Sequence, residues 1–234
     1  MKYDAVIFDL GNTLVSYYTR EQWPGILDRS IGEVAEYLHG RGLMRVDAGE
    51  LPGRVAAERG EENDHRVRPL GERLARIFKL SQGELGDETI RDMCRCFMKP
   101  VFATARRYDD ALPTLEELRR RGLRLGILSN TPWGSPAELW REELRRHGLT
   151  DAADELAFCV DVGWRKPARQ GFELVMKKLG VTALECLFVG DDPRWDLIGP
   201  QRVGMDAVLI DRSGLRQLAG ENVIRGLAEL LDAL

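Results

Sequence analysis

The sequence predicts an α/β fold: a Rossmann-like parallel sheet with helices on both faces, plus an all-helical domain inserted after the first strand. Three observations carry this expectation. Short apolar strand segments such as Ala5-Val6-Ile7-Phe8 alternate with helical segments through the second half of the chain. That is the pattern of strands buried on both faces by crossover helices. Between residues 15 and 108 the alternation stops and the pattern is helical. At 234 residues, 44% hydrophobic and 31% charged, the chain suits one large domain or a domain with a smaller insert.

The first strand is expected over residues 3–10. It leaves through Asp9-Leu10-Gly11-Asn12-Thr13, a polar, turn-prone exit. Helices are expected at 21–38, 49–59, 67–80 and 87–98, with a highly polar loop at 60–65. An all-helical insert here lies over the C-terminal edge of the first strand, placed to act as a lid. Alternation resumes near residue 109, with a helix at 110–121 that has a basic last turn and stops at Gly122. A strand at 123–128 ends in Ser129-Asn130-Thr131-Pro132. A helix at 136–147, a strand near 156–160 and a helix at 168–179 follow. The next strand, 186–189, ends in Gly190-Asp191-Asp192. A short helix reaching 203, a strand at 206–210 and a helix at 222–234 close the chain. The core is therefore expected at 1–14 and 109–234, and the insert at 15–108.

A net charge of −4 argues against a general binder of nucleic acid or anionic membranes. No apolar run approaches the roughly 18 residues of a membrane span. Met1-Lys2-Tyr3-Asp4 runs straight into a strand without a signal-peptide layout, so a cytoplasmic location is expected. Of the four cysteines, Cys94 and Cys96 are two apart on a predicted helix and face different ways. Cys159 and Cys186 lie in apolar segments, and all four read as reduced structural thiols of a reducing compartment. The three histidines, His39, His65 and His147, make no metal-ligand spacing. Nothing in the sequence sets the oligomeric state.

Parallel sheets bind ligands at the carboxyl ends of their strands. Three such ends carry polar groups: Asp9, Ser129 and Asp191. Taken singly, an aspartate there is an ordinary cap, Ser-Asn an ordinary turn and Lys166 an ordinary solvated charge. Only six of the chain's 34 lysines and arginines are lysine, so Lys166 departs from local habit and supplies a compact charge. Together the residues are consistent with one site. Several carboxylates at neighbouring strand ends need a cation, and hard oxygen donors suit Mg²⁺. A lysine beside a Ser/Asn pair suits a phosphoryl group.

The chain resembles the haloacid dehalogenase superfamily, whose commonest members are Mg²⁺-dependent phosphatases. The resemblance rests on Phe8-Asp9-Leu10-Gly11-Asn12-Thr13-Leu14, Leu128-Ser129-Asn130, Lys166-Pro167 and Gly190-Asp191-Asp192-Pro193-Arg194-Trp195-Asp196, in that order over nearly the whole chain. The insert is similar to the family's helical cap. The resemblance implies that Asp9 is the nucleophile, forming an aspartyl-phosphate that water hydrolyses. It implies Mg²⁺ held by Asp9, the Gly11 carbonyl and Asp191, with Asp196 acting through water. Ser129, Asn130 and Lys166 would hold the phosphoryl oxygens of a small soluble substrate. Asp192 is left between approaching the metal and capping a helix.

One departure stands out. The family's phosphatases carry a second aspartate two residues after the nucleophile, as acid and base. Here that residue is Gly11, and general acid–base help is worth about 10²–10⁴-fold. Asn12 follows, a residue that tolerates a left-handed turn. Two other readings remain beside the phosphatase: a metal-free dehalogenase with the same nucleophile, and a non-catalytic module on this fold. Trp133, Trp164 and Trp195 read as packing residues or as an apolar rim at the mouth. Arg54, Arg59, His65, Arg66 and Arg68 read as a solvated helix face, or as contacts to an anionic substrate.

Overall fold

The computed structural model describes residues 2–58, 60, 64–81, 86–212, 214 and 222–234. Its main sheet is six-stranded and wholly parallel. The strands are β1 (Ala5–Phe8), β4 (Arg124–Ser129), β5 (Glu155–Phe158), β6 (Cys186–Gly190), β7 (Asp206–Ile210) and β8 (Val223–Ile224), in the order β5-β4-β1-β6-β7-β8. All four residues of β1 are buried because it lies between β4 and β6 with both faces covered. Ala5 and Ile7 face a cluster with Phe172, Val175 and Leu179 of a helix at Arg169–Leu179. Val6 and Phe8 face the opposite cluster, which takes in Leu115 and Leu118 and runs on into the helical segment. Period-2 alternation thus splits an apolar strand between two cores.

The chain leaves β1 for β4 on one side and later returns to β6 on the other. The carboxyl ends of β4, β1 and β6 therefore meet where the winding reverses. Phe8 is level with Ile127 of β4 and Val189 of β6. Asp9 N–H still donates to the Val189 carbonyl at 2.8 Å. Beyond it the chain folds back, with Leu14 N–H donating to the Leu10 carbonyl and Asn12 N–H to that of Val15. Asn12 is left-handed there, at φ 56°.

Between β1 and β4 stand α1 (Trp23–Gly40), α2 (Leu51–Ala57), α3 (Leu70–Ile77) and α4 (Asp87–Phe102). α1 packs along α4, and α3 packs on α4 as well. The stretch is not wholly helical. β2 (Val15–Ser16) pairs antiparallel with β3 (Arg106–Arg107), bringing its two ends together. Two residues show no period, and the pairing spans the whole insert, so local sequence carries no sign of it. Arg212 ties this base down. It donates to the Thr13 carbonyl and to both Asp110 oxygens, with Tyr108 under its guanidinium at 3.7 Å.

Other departures are local. The helix expected from 67 starts at Leu70, because Pro69 disfavours helical backbone at Arg68. The closing helix expected at 222–234 is instead β8, a short 3-10 turn at Leu227–Glu229 and a last helix at Leu230–Ala233. β-branched Val223 and Ile224 pair with Leu209 and Ile210, and Gly226 separates them from the helix. The strand expected near 156–160 is β5, and Cys159 begins a one-turn helix. All four cysteines are buried and free. Among the described residues no helix is long and apolar enough to cross a membrane.

Candidate active site

At the reversal point, one carboxylate oxygen each of Asp9, Asp191 and Asp196 fall within 4.8 Å of one another. Asp9 follows β1. Asp191 follows β6, and Asp196 lies in a π-helical turn at Pro193–Leu197. Lys166 Nζ donates to Asp9 Oδ1 and to Asp196 Oδ1, each at 2.6 Å, and Asp196 Oδ2 accepts the Asp192 N–H at 3.0 Å. Lys166 and Asp196 are almost inaccessible, at 3% and 1% exposure, and Asp9 is 7% exposed.

So much charge in so little space perturbs the titration of Asp196 and Lys166. Burial pushes the Asp196 carboxyl up to about 6, against the pull of the Lys166 charge. Burial alone would lower the Lys166 ammonium, but Asp196 and Asp9 outweigh it, so the ammonium stays charged. Three carboxylates against one lysine leave the cluster short of positive charge. Hard oxygen donors of this kind, with Asp9 and Asp196 buried and Asp191 partly exposed, fit a small divalent cation such as Mg²⁺.

The remaining motif residues arrange this cluster. Asn130 Oδ1 accepts the Lys166 N–H at 2.8 Å, and its Nδ2 donates to the Lys166 carbonyl at 3.2 Å. Its side chain thus clamps the Lys166 backbone. Ser129 is buried at the end of β4. Asp192 caps the π turn, accepting from the Arg194 N–H at 2.9 Å and pairing with the Arg194 guanidinium. Gly11 has open space beside it: a Cβ there would meet only Tyr17 Cδ2, at 3.9 Å.

The insert reaches this end of the sheet through an extended stretch before α3. Arg165 N–H donates to the His65 carbonyl at 2.8 Å, Val67 N–H donates to the Gly163 carbonyl at 3.0 Å, and Arg66 bridges to Trp164. The His65 ring stands edge-on to Trp195, with centroids 5.8 Å apart. Arg66 covers the face of Trp164. Trp133 is buried and stacks on Phe97 of α4. Trp133 therefore packs the insert onto the core, whereas Trp164 and Trp195 hold the extended stretch. His65, Arg66 and Arg68 lie on that stretch and not on a helix face. Arg68 pairs with Asp64 at 3.0 Å. Arg54 donates to the Ile77 and Arg76 carbonyls at the end of α3. Arg59 and residues 61–63 of the polar loop lie outside the described residues. The sequence pointed to His65 by its residue type, but its docking depends on partners some hundred residues away.

The fold and this site define a hydrolase, and the chain belongs to the haloacid dehalogenase-like hydrolases: that family's model matches residues 3–204. A phosphatase of Mycobacterium tuberculosis is 31% identical over 234 residues, covering 98% of this chain and 96% of the relative. A solved phosphatase of the same superfamily from Thermococcus onnurineus is 26% identical, with a TM-score of 0.64 over 98% of this chain and 97% of that one. The 2-haloacid dehalogenase of Pseudomonas syringae shares the fold at 22% identity, with a TM-score of 0.69 over 98% of this chain and 97% of that one.

Proposed function

We propose that the protein is a Mg²⁺-dependent phosphomonoester hydrolase acting on a small soluble phosphate through an aspartyl-phosphate. The convergence of Asp9, Asp191 and Asp196 around Lys166 carries this reading. A dehalogenase with a carboxylate nucleophile has no use for two further carboxylates, which would repel a departing halide. The phosphatases among the relatives support the same choice.

In this reading Asp9, Asp191 and the Gly11 carbonyl hold Mg²⁺, with Asp196 bound through water. The ion, when bound, would supply positive charge to offset the phosphoryl oxygens. Asp9 attacks phosphorus, the ester oxygen leaves, and water then cleaves the acyl phosphate and restores the carboxylate. Lys166 is positioned to share its ammonium between Asp9 and a phosphoryl oxygen. Ser129 offers a hydroxyl, and Asn130 keeps Lys166 in place with its backbone N–H left for the phosphoryl group. Residues 15–108 act as a cap over a core formed by 1–14 and 109–234, and select the leaving group. Four buried free thiols suit a reducing compartment, the cytoplasm.

The deciding experiment is a screen of phosphorylated metabolites with and without Mg²⁺. Metal-dependent phosphate release is expected. A folded protein that releases none from any monoester, yet dechlorinates 2-chloropropionate, would be a dehalogenase.

A further inference from the structure

The phosphatase reading leaves the departing oxygen without a proton donor, because position 11 is glycine. We propose that His65, brought in by the insert, is that donor and the base for the second step. The inference rests on the phosphatase reading.

The segment bearing His65 touches three of the four core loops that supply the site, those carrying Lys166, Asp196 and Ser129. Its hydrogen bonds with Gly163 and Arg165 fix it to the residues just before Lys166. The His65 ring abuts Trp195, the residue before Asp196. On the other side the Arg68 carbonyl lies against Gly134, in the loop after Ser129-Asn130. A Cβ on Gly134 would come within 2.2 Å of that oxygen. The stretch is thus fixed to the loops that carry Lys166, Asp196 and Ser129. His65 is left-handed, with φ 57°, a state uncommon for residues other than glycine though more accessible to histidine than to most. Its Nδ1 is enclosed and has no hydrogen-bond partner among the described residues. An enclosed ring nitrogen without a partner has its bonding capacity in reserve.

Two other enclosed, unpaired hydroxyls belong to residues at the β1 exit, those of Thr13 and Tyr17. The Thr13 hydroxyl is a far weaker acid than an imidazolium, and Tyr17 presents its ring edge to Gly11. Its ring packs edge-on against Trp140 and beside Phe102. Burial and the Glu143 charge raise its phenol well above the ordinary range, which makes it the poorer donor.

The steps balance with His65 in this role. Asp9 forms its bond to phosphorus while the bond to the ester oxygen breaks. That oxygen keeps the bonding pair and takes a proton from the His65 imidazolium. The neutral imidazole then takes a proton from the water that attacks the aspartyl-phosphate, releasing phosphate and Asp9. One ester and one water become one alcohol and one phosphate, and His65 ends as it began.

The test measures kcat/KM with Mg²⁺ on an alkyl phosphate and on 4-nitrophenyl phosphate, whose leaving group needs no proton. His65→Asn keeps a residue suited to the left-handed backbone, and His65→Gly opens space for added imidazole. With melting temperatures near wild type, the alkyl rate is expected to fall about 10²-fold or more and the aryl rate less than about 10-fold. Added imidazole should recover part of the alkyl rate in His65→Gly. Equal losses on both substrates, with no recovery, would show that His65 only anchors the loop. An Asp9→Asn arm separates the two readings. If that variant is inert while the His65 variants show no leaving-group bias, only the His65 role falls. If Asp9→Asn stays active, the covalent route falls and His65 with it.

Discussion

Asp196 occupies the place where Gly190 would carry a side chain: a Cβ on Gly190 would lie 2.4 Å from Asp196 Cγ and 2.5 Å from its Cβ and Oδ2. The last residue of β6 must be glycine for the Asp196 carboxylate to reach the cluster. Gly190→Ala is therefore expected to displace Asp196 and to destabilise the protein by about 1–3 kcal/mol. Mg²⁺ affinity should fall by roughly tenfold or more, an energy of ~1.4 kcal/mol. Calorimetric Mg²⁺ titration and a thermal melt check both. Unchanged binding would remove Asp196 from the metal site.

Asp9→Asn is isosteric and leaves Lys166 its partner Asp196. Turnover should drop to background while circular dichroism is unchanged, because an amide cannot form the acyl phosphate. Rapid quenching with a labelled substrate should trap phosphoprotein in the wild type and none in the variant. Wild-type-like turnover would exclude the covalent route.

Asp191 and Asp192 are adjacent but differ in what they hold. Asp192 caps the π turn, and asparagine caps about as well, so Asp192→Asn should change Mg²⁺ dependence less than about twofold. Asp191→Asn removes a carboxylate from the cluster and should weaken it at least tenfold, about 1.4 kcal/mol. The opposite order in a Mg²⁺ titration of activity would reassign the two residues.

The raised Asp196 carboxyl sets a pH dependence. Its folded-state value of about 6 lies above the ordinary 3.8, so the folded protein binds this proton more tightly than the unfolded chain. Stability from that proton is full at low pH and is lost as pH rises through about 6. At the proposed Mg²⁺ site the ion would compete with the same proton, so its affinity should weaken as pH falls below about 6. Roughly tenfold weaker binding is expected at pH 5 than at pH 7.5. Equal affinity at the two values would mean that Asp196 does not titrate with the metal.

Gly11→Asp has room, since only Tyr17 Cδ2 approaches the new Cβ. With His65 already supplying the proton, the variant should raise the alkyl rate by less than about 10-fold on the wild-type background. It should also return alkyl activity to His65→Asn. A loss of activity on both substrates, with the fold retained, would show that the site has no place for a carboxylate at 11.

Much of this protein is written in local sequence. Four apolar residues made β1 a doubly covered strand, Asn12 suited the left-handed exit, and Gly122, Gly148 and Gly180 ended helices where expected. Asp9, Ser129, Lys166 and Asp191 could be picked out because each follows a strand or precedes a helix. Tertiary structure decided what these residues touch. The order β4-β1-β6 brings Lys166 to Asp9 and Asp196 at 2.6 Å. The β2–β3 pair, β8 and the docking of His65 beside Trp195 likewise join residues far apart in the chain. A local period reports which face of a strand or helix is apolar. It carries no information about which distant backbone will supply the partner hydrogen bond, so those contacts became visible only in the folded chain.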